Sequence, residues 1–402
     1  MRHFRELPPL SLYVHIPWCV RKCPYCDFNS HEYKGDDLPE QAYIDALLVD
    51  LESELPTIWG RQIVSVFIGG GTPSLFSAES LDRLLSGLRA LLNLQPTIEI
   101  TMEANPGTIE QHKFAEFAQA GVNRLSMGIQ SFNDASLQAL GRIHTGSEAA
   151  NAVEVARTAG FDNLNLDLMF ALPKQTLEMA IADLDQAIAL APEHLSYYQL
   201  TLEPNTAFAA NPPPLPHEDL AWDIQQQAIA RLSDAGFGQY EISAYSQPGR
   251  RSEHNLNYWL FGDYIGIGAG AHGKISSAAE GVIRRRSKQR HPRRYLESSG
   301  TPAQISEQKD VSLEDTAIEF MMNAFRLLEG FSLPLFQQHT GVDLYTWQPV
   351  IDRAIEDGLL EQEVLMLRPT NQGHRFLNEL LERFMPEEQV HTYPVIPLRT
   401  EQ

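Results

Sequence analysis

Tyr13-Val14-His15-Ile16-Pro17-Trp18-Cys19-Val20-Arg21-Lys22-Cys23-Pro24-Tyr25-Cys26 joins a short β-rich run to a loop that holds every cysteine of the chain. The spacing is C-x3-C-x2-C. Three thiols so close together, and odd in number, cannot form a disulfide framework. Three thiolates on one short loop can instead wrap three corners of a cubane cluster, which normally takes four cysteines. The missing fourth leaves one iron open, and an open metal position is how a site binds a reactant. Arg21 and Lys22 lie inside the loop and are expected to lower the thiol pKa values.

Such an open iron can take S-adenosylmethionine, which chelates through its amino and carboxylate groups. A reduced cluster could then split the C–S bond and make a radical. Two other readings of the cysteines stay open. One is a structural zinc with His15 or His31 as fourth ligand, although zinc ligands usually come in separated pairs. The other is an inert trio of buried thiols.

Outward from the loop, β-rich runs at 12–16, 63–68, 97–103, 124–129, 163–169 and 194–200 alternate with helix-like segments. The helices are predicted near 39–55, 77–93, 110–120, 146–159, 175–191 and 217–235. Leu81, Leu84, Leu85, Leu88, Leu91 and Leu92 show the helical step of three and four residues. Gly121, Gly160 and Gly236 stand where left-handed caps are expected. Strand–helix units in succession imply an α/β fold with a parallel sheet, open or closed into a partial barrel.

Chemically capable residues fall at one end of these strands. The cysteine loop follows the first, and Gly69-Gly70-Gly71-Thr72-Pro73 follows the second. Glu103 ends the third, Gln130 follows the fourth, and Asp167 lies late in the fifth. Parallel α/β barrels place their sites at the carboxyl ends of strands, so these groups should converge. Taken singly, Glu103 could cap a turn and Asp167 could be a buried, hydrogen-bonded acid.

After residue 237 the alternation fades, with one more strand predicted at 239–243. The stretch 262–273 carries five glycines and reads as a close-packed turn under a ligand or helix. The run 284–294 holds seven basic residues, the usual mark of a solvated face. From 312 to about 386 the pattern is helical, with Ile318, Met321, Met322, Phe325 and Leu328 on one stripe and a short β element at 365–367. The division expected is 1–236 for the barrel, 237–310 for a barrel extension and linker, and 311–402 for a small, mainly helical C-terminal domain. A net charge of −21 argues against a surface for nucleic-acid phosphates. No apolar run approaches the ~20 residues of a membrane helix. The first nine residues lack the apolar core of a secretory signal, so a cytoplasmic location is expected.

The cysteine spacing, with Tyr25 before the last cysteine, resembles the radical S-adenosylmethionine superfamily. The run from Tyr13 to Cys19 resembles the entry strand of its coproporphyrinogen-dehydrogenase-like branch, and within that branch its haem-chaperone group. Glu103-Ala104-Asn105-Pro106, Ser126-Met127-Gly128-Ile129-Gln130-Ser131-Phe132, Asn165-Leu166-Asp167-Leu168 and Leu172-Pro173-Lys174-Gln175-Thr176 extend the resemblance over nearly the whole chain. It implies a partial (β/α)6 barrel in which Cys19, Cys23 and Cys26 ligate a [4Fe-4S] cluster. It further implies that Tyr25 lies beside the adenine of S-adenosylmethionine. The backbone of Gly70, Gly71 and Thr72 would bind the methionine end. Glu103, Gln130, Arg142 and Asp167 match positions near cofactor or substrate, and Tyr13 matches a further contact.

Two functions of different classes follow from the resemblance. One is oxygen-independent oxidative decarboxylation of coproporphyrinogen III. The other is a haem chaperone that passes haem to an acceptor protein, with an electron donor for the cluster and with a dimer compatible with either. Against the enzyme, Phe28 stands where those dehydrogenases carry a fourth cysteine, and only a short segment precedes the first strand. For the chaperone, His254-Asn255-Leu256-Asn257-Tyr258-Trp259 matches H-N-x-x-Y-W, a motif associated with that group. A neutral imidazole can ligate haem iron, and Tyr258 and Trp259 offer flat faces to a macrocycle. The plain alternative is a helix start with a packed aromatic pair. His272 is a second candidate ligand, and Arg284, Arg285, Arg286 and Lys288 could pair with the propionates.

Overall fold

The computed structural model describes residues 2–35, 38–107 and 112–385. Six parallel strands follow one another: β1 (Leu10–Ile16), β2 (Gln62–Gly70), β3 (Asn93–Ala104), β4 (Arg124–Gln130), β5 (Leu164–Phe170) and β6 (His194–Gln199). Leu10, Leu12, Val14 and Ile16 of β1 are all buried, as are Leu164, Leu166 and Leu168 of β5. A parallel sheet covered by crossover helices asks for such apolar strands. Helices Glu40–Ile58, Ala78–Leu91, Phe114–Ala120, Gly146–Thr158, Leu177–Ala189 and Glu218–Asp234 stand close to their expected places. The start of the third, predicted at 110, lies outside the described residues. Gly121, Gly160 and Gly236 take positive φ of 112°, 99° and 86°, so the predicted caps are present.

Beyond residue 237 the structure departs from expectation. The strands β7 (Gly238–Glu241) and β8 (Ala244–Ser246) extend the β6 edge in antiparallel fashion. At the other edge β9 (Asp263–Ile267) lies parallel to β1. The antiparallel strands β10 (His272–Ser277), β11 (Val282–Lys288) and β12 (Ile305–Asp310) follow it. The order is β12-β11-β10-β9-β1-β2-β3-β4-β5-β6-β8-β7, with β12 and β7 unjoined, a partial barrel. The glycine-rich stretch is therefore mostly strand. Only its centre is a tight turn, where a Cβ on Gly268 would lie 2.4 Å from the His15 carbonyl oxygen.

The first part of the basic run is not a solvated face either, whereas Arg290, Arg293 and Arg294 are exposed as expected. Arg284 pairs with Glu280 and Asp310, Arg285 with Glu319, and Arg286 with Glu54. Buried Lys288 donates from Nζ to Asp50 (2.6 Å) and Glu54 (2.7 Å) on helix Glu40–Ile58. Tyr295 donates to the same Asp50. Removing one member of such a group leaves uncompensated buried charge. Lys288→Met is expected to cost about 3–5 kcal/mol, read as a lower urea midpoint. A loss under about 1 kcal/mol would show that the group leaves no uncompensated buried charge without Lys288.

The C-terminal part builds a second core on Phe320, Phe325, Phe331 and Phe336, shared with Phe261 and Ile283 of the extension. Its helices include Thr316–Ala324, Leu333–Thr340 and Gln348–Glu356. A hairpin of Leu360–Glu363 and Met366–Pro369 supplies the β element. Met321 and Phe325 are buried in it, but Met322 is 55% exposed and leaves the predicted stripe.

Candidate functional site

Pro17 and Trp18 carry the chain off β1 into the cysteine loop, which is tied to the ends of its neighbours. Gly71 donates its N–H to the Ile16 carbonyl (2.7 Å), and Thr72 donates to that of Trp18 (2.8 Å). The two segments touch so closely that a Cβ on Gly71 would lie 2.5 Å from the Trp18 oxygen. Glycine is required there by close approach.

This junction opens into a cavity of about 150 Å³. Cys19, Cys23 and Cys26 line it, with Tyr25, Gly70, Gly71, Thr72, Glu103, Gln130, Arg142 and Asp167. The predicted convergence at the strand ends is therefore real. Asn105, Ser126 and Tyr198 also line it and were not singled out, although Asn105 and Ser126 lie within quoted runs. Tyr198 donates its hydroxyl to Gln130 Oε1 (2.8 Å) and holds that side chain. Gln130 takes φ 69°, a left-handed value uncommon outside glycine, where β4 breaks register with β5. Arg142 donates to Asn105 Oδ1 (2.7 Å) and the Gly128 carbonyl (2.7 Å), and its Nη1 lies 3.6 Å from Cys23 Sγ.

Burial pushes the Cys19 and Cys26 thiols up, against the expectation that Arg21 and Lys22 lower them. The Lys22 charge does lower the Cys26 thiol but is outweighed by burial, and Lys22 also donates to the Phe28 and Ser30 carbonyls and shapes the loop. Such thiols release their protons to a metal when it binds. Three half-buried free thiols, glycine backbone beside them and one guanidinium at Cys23 fit an anionic cluster with one open iron. His15 is poorly suited to complete a zinc set, because its Nδ1 meets Tyr13 OH and its Nε2 meets the Asn29 carbonyl.

Burial raises the Glu103 carboxyl to about 7, nearby Asp167 adds to the rise, and the Gly70 N–H at 2.9 Å opposes it. The native state thus keeps a proton that the unfolded chain releases from about 4.5. Stability should fall as pH rises between these values, by an amount on the order of 1–3 kcal/mol. Glu103→Gln should flatten that slope in urea denaturations at pH 5, 6 and 7. Parallel slopes for both proteins would refute the raised carboxyl.

A second cavity of about 680 Å³ adjoins the first and shares Phe28, Gly70 and Glu103 with it. Tyr13, Tyr258, Tyr264, Trp259 and His272 line it. His254 lines neither cavity. It is buried, with Nδ1 at 2.9 Å from Ser65 Oγ and Nε2 at 3.1 Å from Tyr258 OH, and it stacks on Phe67. Burial lowers its pKa to about 3. Both His254 nitrogens are thus engaged inside the protein, and the ring packs against Phe67 and Tyr258. The four basic residues read as propionate partners are corrected. Arg284, Arg285, Arg286 and Lys288 already face carboxylates.

A partial barrel with three thiols and a glycine-rich strand end around one cavity defines a protein of the radical S-adenosylmethionine class. The model of the Radical SAM superfamily matches residues 13–187, and that of the HemN C-terminal domain matches residues 311–376. Proteins named heme chaperone HemW from Haemophilus influenzae and Escherichia coli are each 51% identical to this chain over 387 residues. Each match covers 95% of this chain and 100% of the relative. The solved structure of coproporphyrinogen III oxidase (HemN) from E. coli, a radical SAM enzyme, matches with TM-score 0.78 at 24% identity. That match covers 94% of this chain and 90% of the other, and it shows the fold. This chain belongs to the radical SAM superfamily and, within it, to the HemW family. The superfamily implies a [4Fe-4S] cluster and S-adenosylmethionine. Among the described residues no helix is long and apolar enough to cross a membrane.

Proposed function

We propose that this chain is a cytoplasmic haem chaperone that binds haem in the larger cavity and passes it to an acceptor protein. The observation that carries the reading is that the larger cavity, walled by Tyr13, Tyr258, Tyr264 and Trp259, adjoins the cysteine cavity in a chain 51% identical to heme chaperones. Its volume lies in the range of about 300–1,000 Å³ that ligand pockets occupy. Flat aromatic walls suit a macrocycle. Cys19, Cys23 and Cys26 hold the cluster in this reading, and the cluster supplies one-electron chemistry to S-adenosylmethionine. Gly70, Gly71 and Thr72 receive the methionine end of that cofactor, and Tyr25 its adenine. Glu103, Gln130, Arg142 and Asp167 orient it, while Tyr13 closes the haem side. His254 acts by holding the Tyr258 hydroxyl. The barrel of 1–236 and the extension of 237–310 would then carry the two cavities, with the C-terminal part as a smaller unit that shares its core with the extension.

The second reading is oxygen-independent coproporphyrinogen III dehydrogenase, favoured by the likeness of fold to HemN. Phe28, which takes the place of the fourth cysteine, is 60% exposed where the two cavities meet. The deciding experiment pairs haem titration of the anaerobically reconstituted protein with a coproporphyrinogen III assay. One haem per chain and no protoporphyrinogen is the expected result. Repeated turnover to protoporphyrinogen would replace the chaperone by the enzyme.

A further inference from the structure

We propose that His194 and Tyr240 are positioning residues for S-adenosylmethionine: acting through the Asn165 amide, they fix Asp167 as a hydrogen-bond acceptor that faces the cofactor. The assignment rests on the reading of Asp167 as a cofactor contact. Neither His194 nor Tyr240 lines the cysteine cavity.

Inward positions of a parallel barrel are usually filled by branched apolar side chains. Here one layer is polar. Ser126 of β4 pairs with Asn165 of β5, and Asn165 pairs with His194 of β6. All three are buried. Asp167 stands two residues beyond Asn165 on the same face of β5 and lines the cavity. Tyr240 reaches the layer from β7 and is buried as well. Buried polar groups persist where they are satisfied, and these satisfy one another in a single chain.

That chain has one direction. At the cavity end, an ionised carboxylate only accepts. Asn165 Nδ2 donates to Asp167 Oδ1 (2.8 Å), and Ser126 Oγ donates to Oδ2 (3.2 Å). The Asn165 oxygen is thereby turned away, and it accepts from His194 Nδ1 (2.6 Å) and Ser196 Oγ (3.1 Å). A neutral imidazole has one N–H. With that proton on Nδ1, Nε2 accepts from the Tyr240 hydroxyl (2.8 Å). At the far end the Ser252 N–H (3.4 Å) can only donate to the Tyr240 oxygen. Both ends demand the same polarity. Burial and the Arg124 charge hold the His194 pKa well below its ordinary value, so a second ring proton does not break the order.

The consequence falls on Asp167. An Asn165 amide turned over would set its oxygen against the carboxylate and favour protonation of Asp167. Burial already raises this carboxyl, and the hydrogen bonds from Ser196, Asn165 and Ser126 oppose the rise. The aligned chain thus supports the charged form. S-adenosylmethionine presents hydroxyl and ammonium donors and a sulfonium charge, all of which suit an ionised acceptor.

The test measures binding of labelled S-adenosylmethionine to cluster-loaded protein by equilibrium dialysis, with iron content and Tm of the same samples. His194→Gln places its amide toward the Nε2 position and leaves the Asn165 oxygen without its ring donor, so affinity should fall about tenfold. His194→Asn carries an N–H close to the place of Nδ1 and should stay within about threefold of wild type. The two remove the same ring packing, so a merely structural role would lower affinity and Tm alike in both. Tyr240→Phe removes one oxygen and should weaken binding about threefold to tenfold; it carries the test if the His194 variants do not fold. Asp167→Asn alone should weaken binding at least about tenfold, and adding His194→Gln to it should change nothing more. Equal affinity in His194→Gln and His194→Asn, or wild-type affinity in Tyr240→Phe, would overturn the proposal and leave Asp167 as a cofactor contact. Additive losses in the double variant would overturn it as well. Wild-type affinity in Asp167→Asn would remove the Asp167 contact and the proposal with it. No binding by wild type would overturn the cofactor reading itself.

Discussion

Cys23→Ala, prepared and reconstituted without oxygen, should retain less than about a tenth of the iron and acid-labile sulfide of the wild type, because a cubane left with two protein thiolates is poorly held. The effect should be all or none. Cys23 lies 3.6 Å from Arg142, so the same change also removes the thiolate that faces that guanidinium. Cys19→Ala and Cys26→Ala should behave alike, since all three thiols line the one cavity. Phe28→Ala should keep the full complement of iron and sulfide, although Phe28 borders the same cavity, because its ring offers no ligand. Circular dichroism of the apo forms separates loss of cluster from loss of fold. Stoichiometric zinc without sulfide in the wild type would sink the radical reading and restore the structural-zinc alternative.

The parts of this molecule that were legible in the sequence are those written in neighbouring residues. The cysteine spacing lies within eight positions, and the leucine stripe of Ala78–Leu91 repeats over a few turns. The strand ends could be read because each capable residue follows its own apolar run. What was not legible depends on partners far along the chain. Arg286 meets Glu54, and Lys288 meets Asp50 and Glu54, more than two hundred positions away. A local reading saw only a cluster of positive charge. His254 has the same difficulty: the hydroxyl that engages its Nδ1 belongs to Ser65 on β2. A motif can thus name a histidine without saying which way it faces. The extension strands were hidden by glycine, a poor strand former, and by a run of arginines whose charges are matched only by distant carboxylates.

The same limit bears on the glycine-rich strand end, where sequence alone would expect valine at Gly70 to block the cofactor and leave the cluster untouched. Gly70 has φ 110°, and a Cβ there would lie 2.3 Å from His15 Cε1. The His15 ring cannot swing aside freely, because Tyr13 and the Asn29 carbonyl hold both nitrogens. Asn29 in turn belongs to the segment that follows Cys26. Gly70→Val should therefore push on the end of β1 and on the cysteine loop together. The expected outcome is at least a tenfold loss of S-adenosylmethionine affinity, about 1.4 kcal/mol, with reduced iron content and a lower Tm. Thr72→Ala is the contrasting change. Its hydroxyl accepts from Asn105 Nδ2 (3.0 Å), but its backbone is what faces the proposed methionine end, so affinity should stay within about threefold. Equilibrium dialysis with labelled cofactor, beside iron analysis of the same samples, reads both. If Gly70→Val keeps full iron and wild-type affinity, the backbone there does not receive the cofactor. If it loses affinity with iron and Tm unchanged, His15 yields without moving the loop, and the coupling between β1 and the cysteines is weaker than the packing implies.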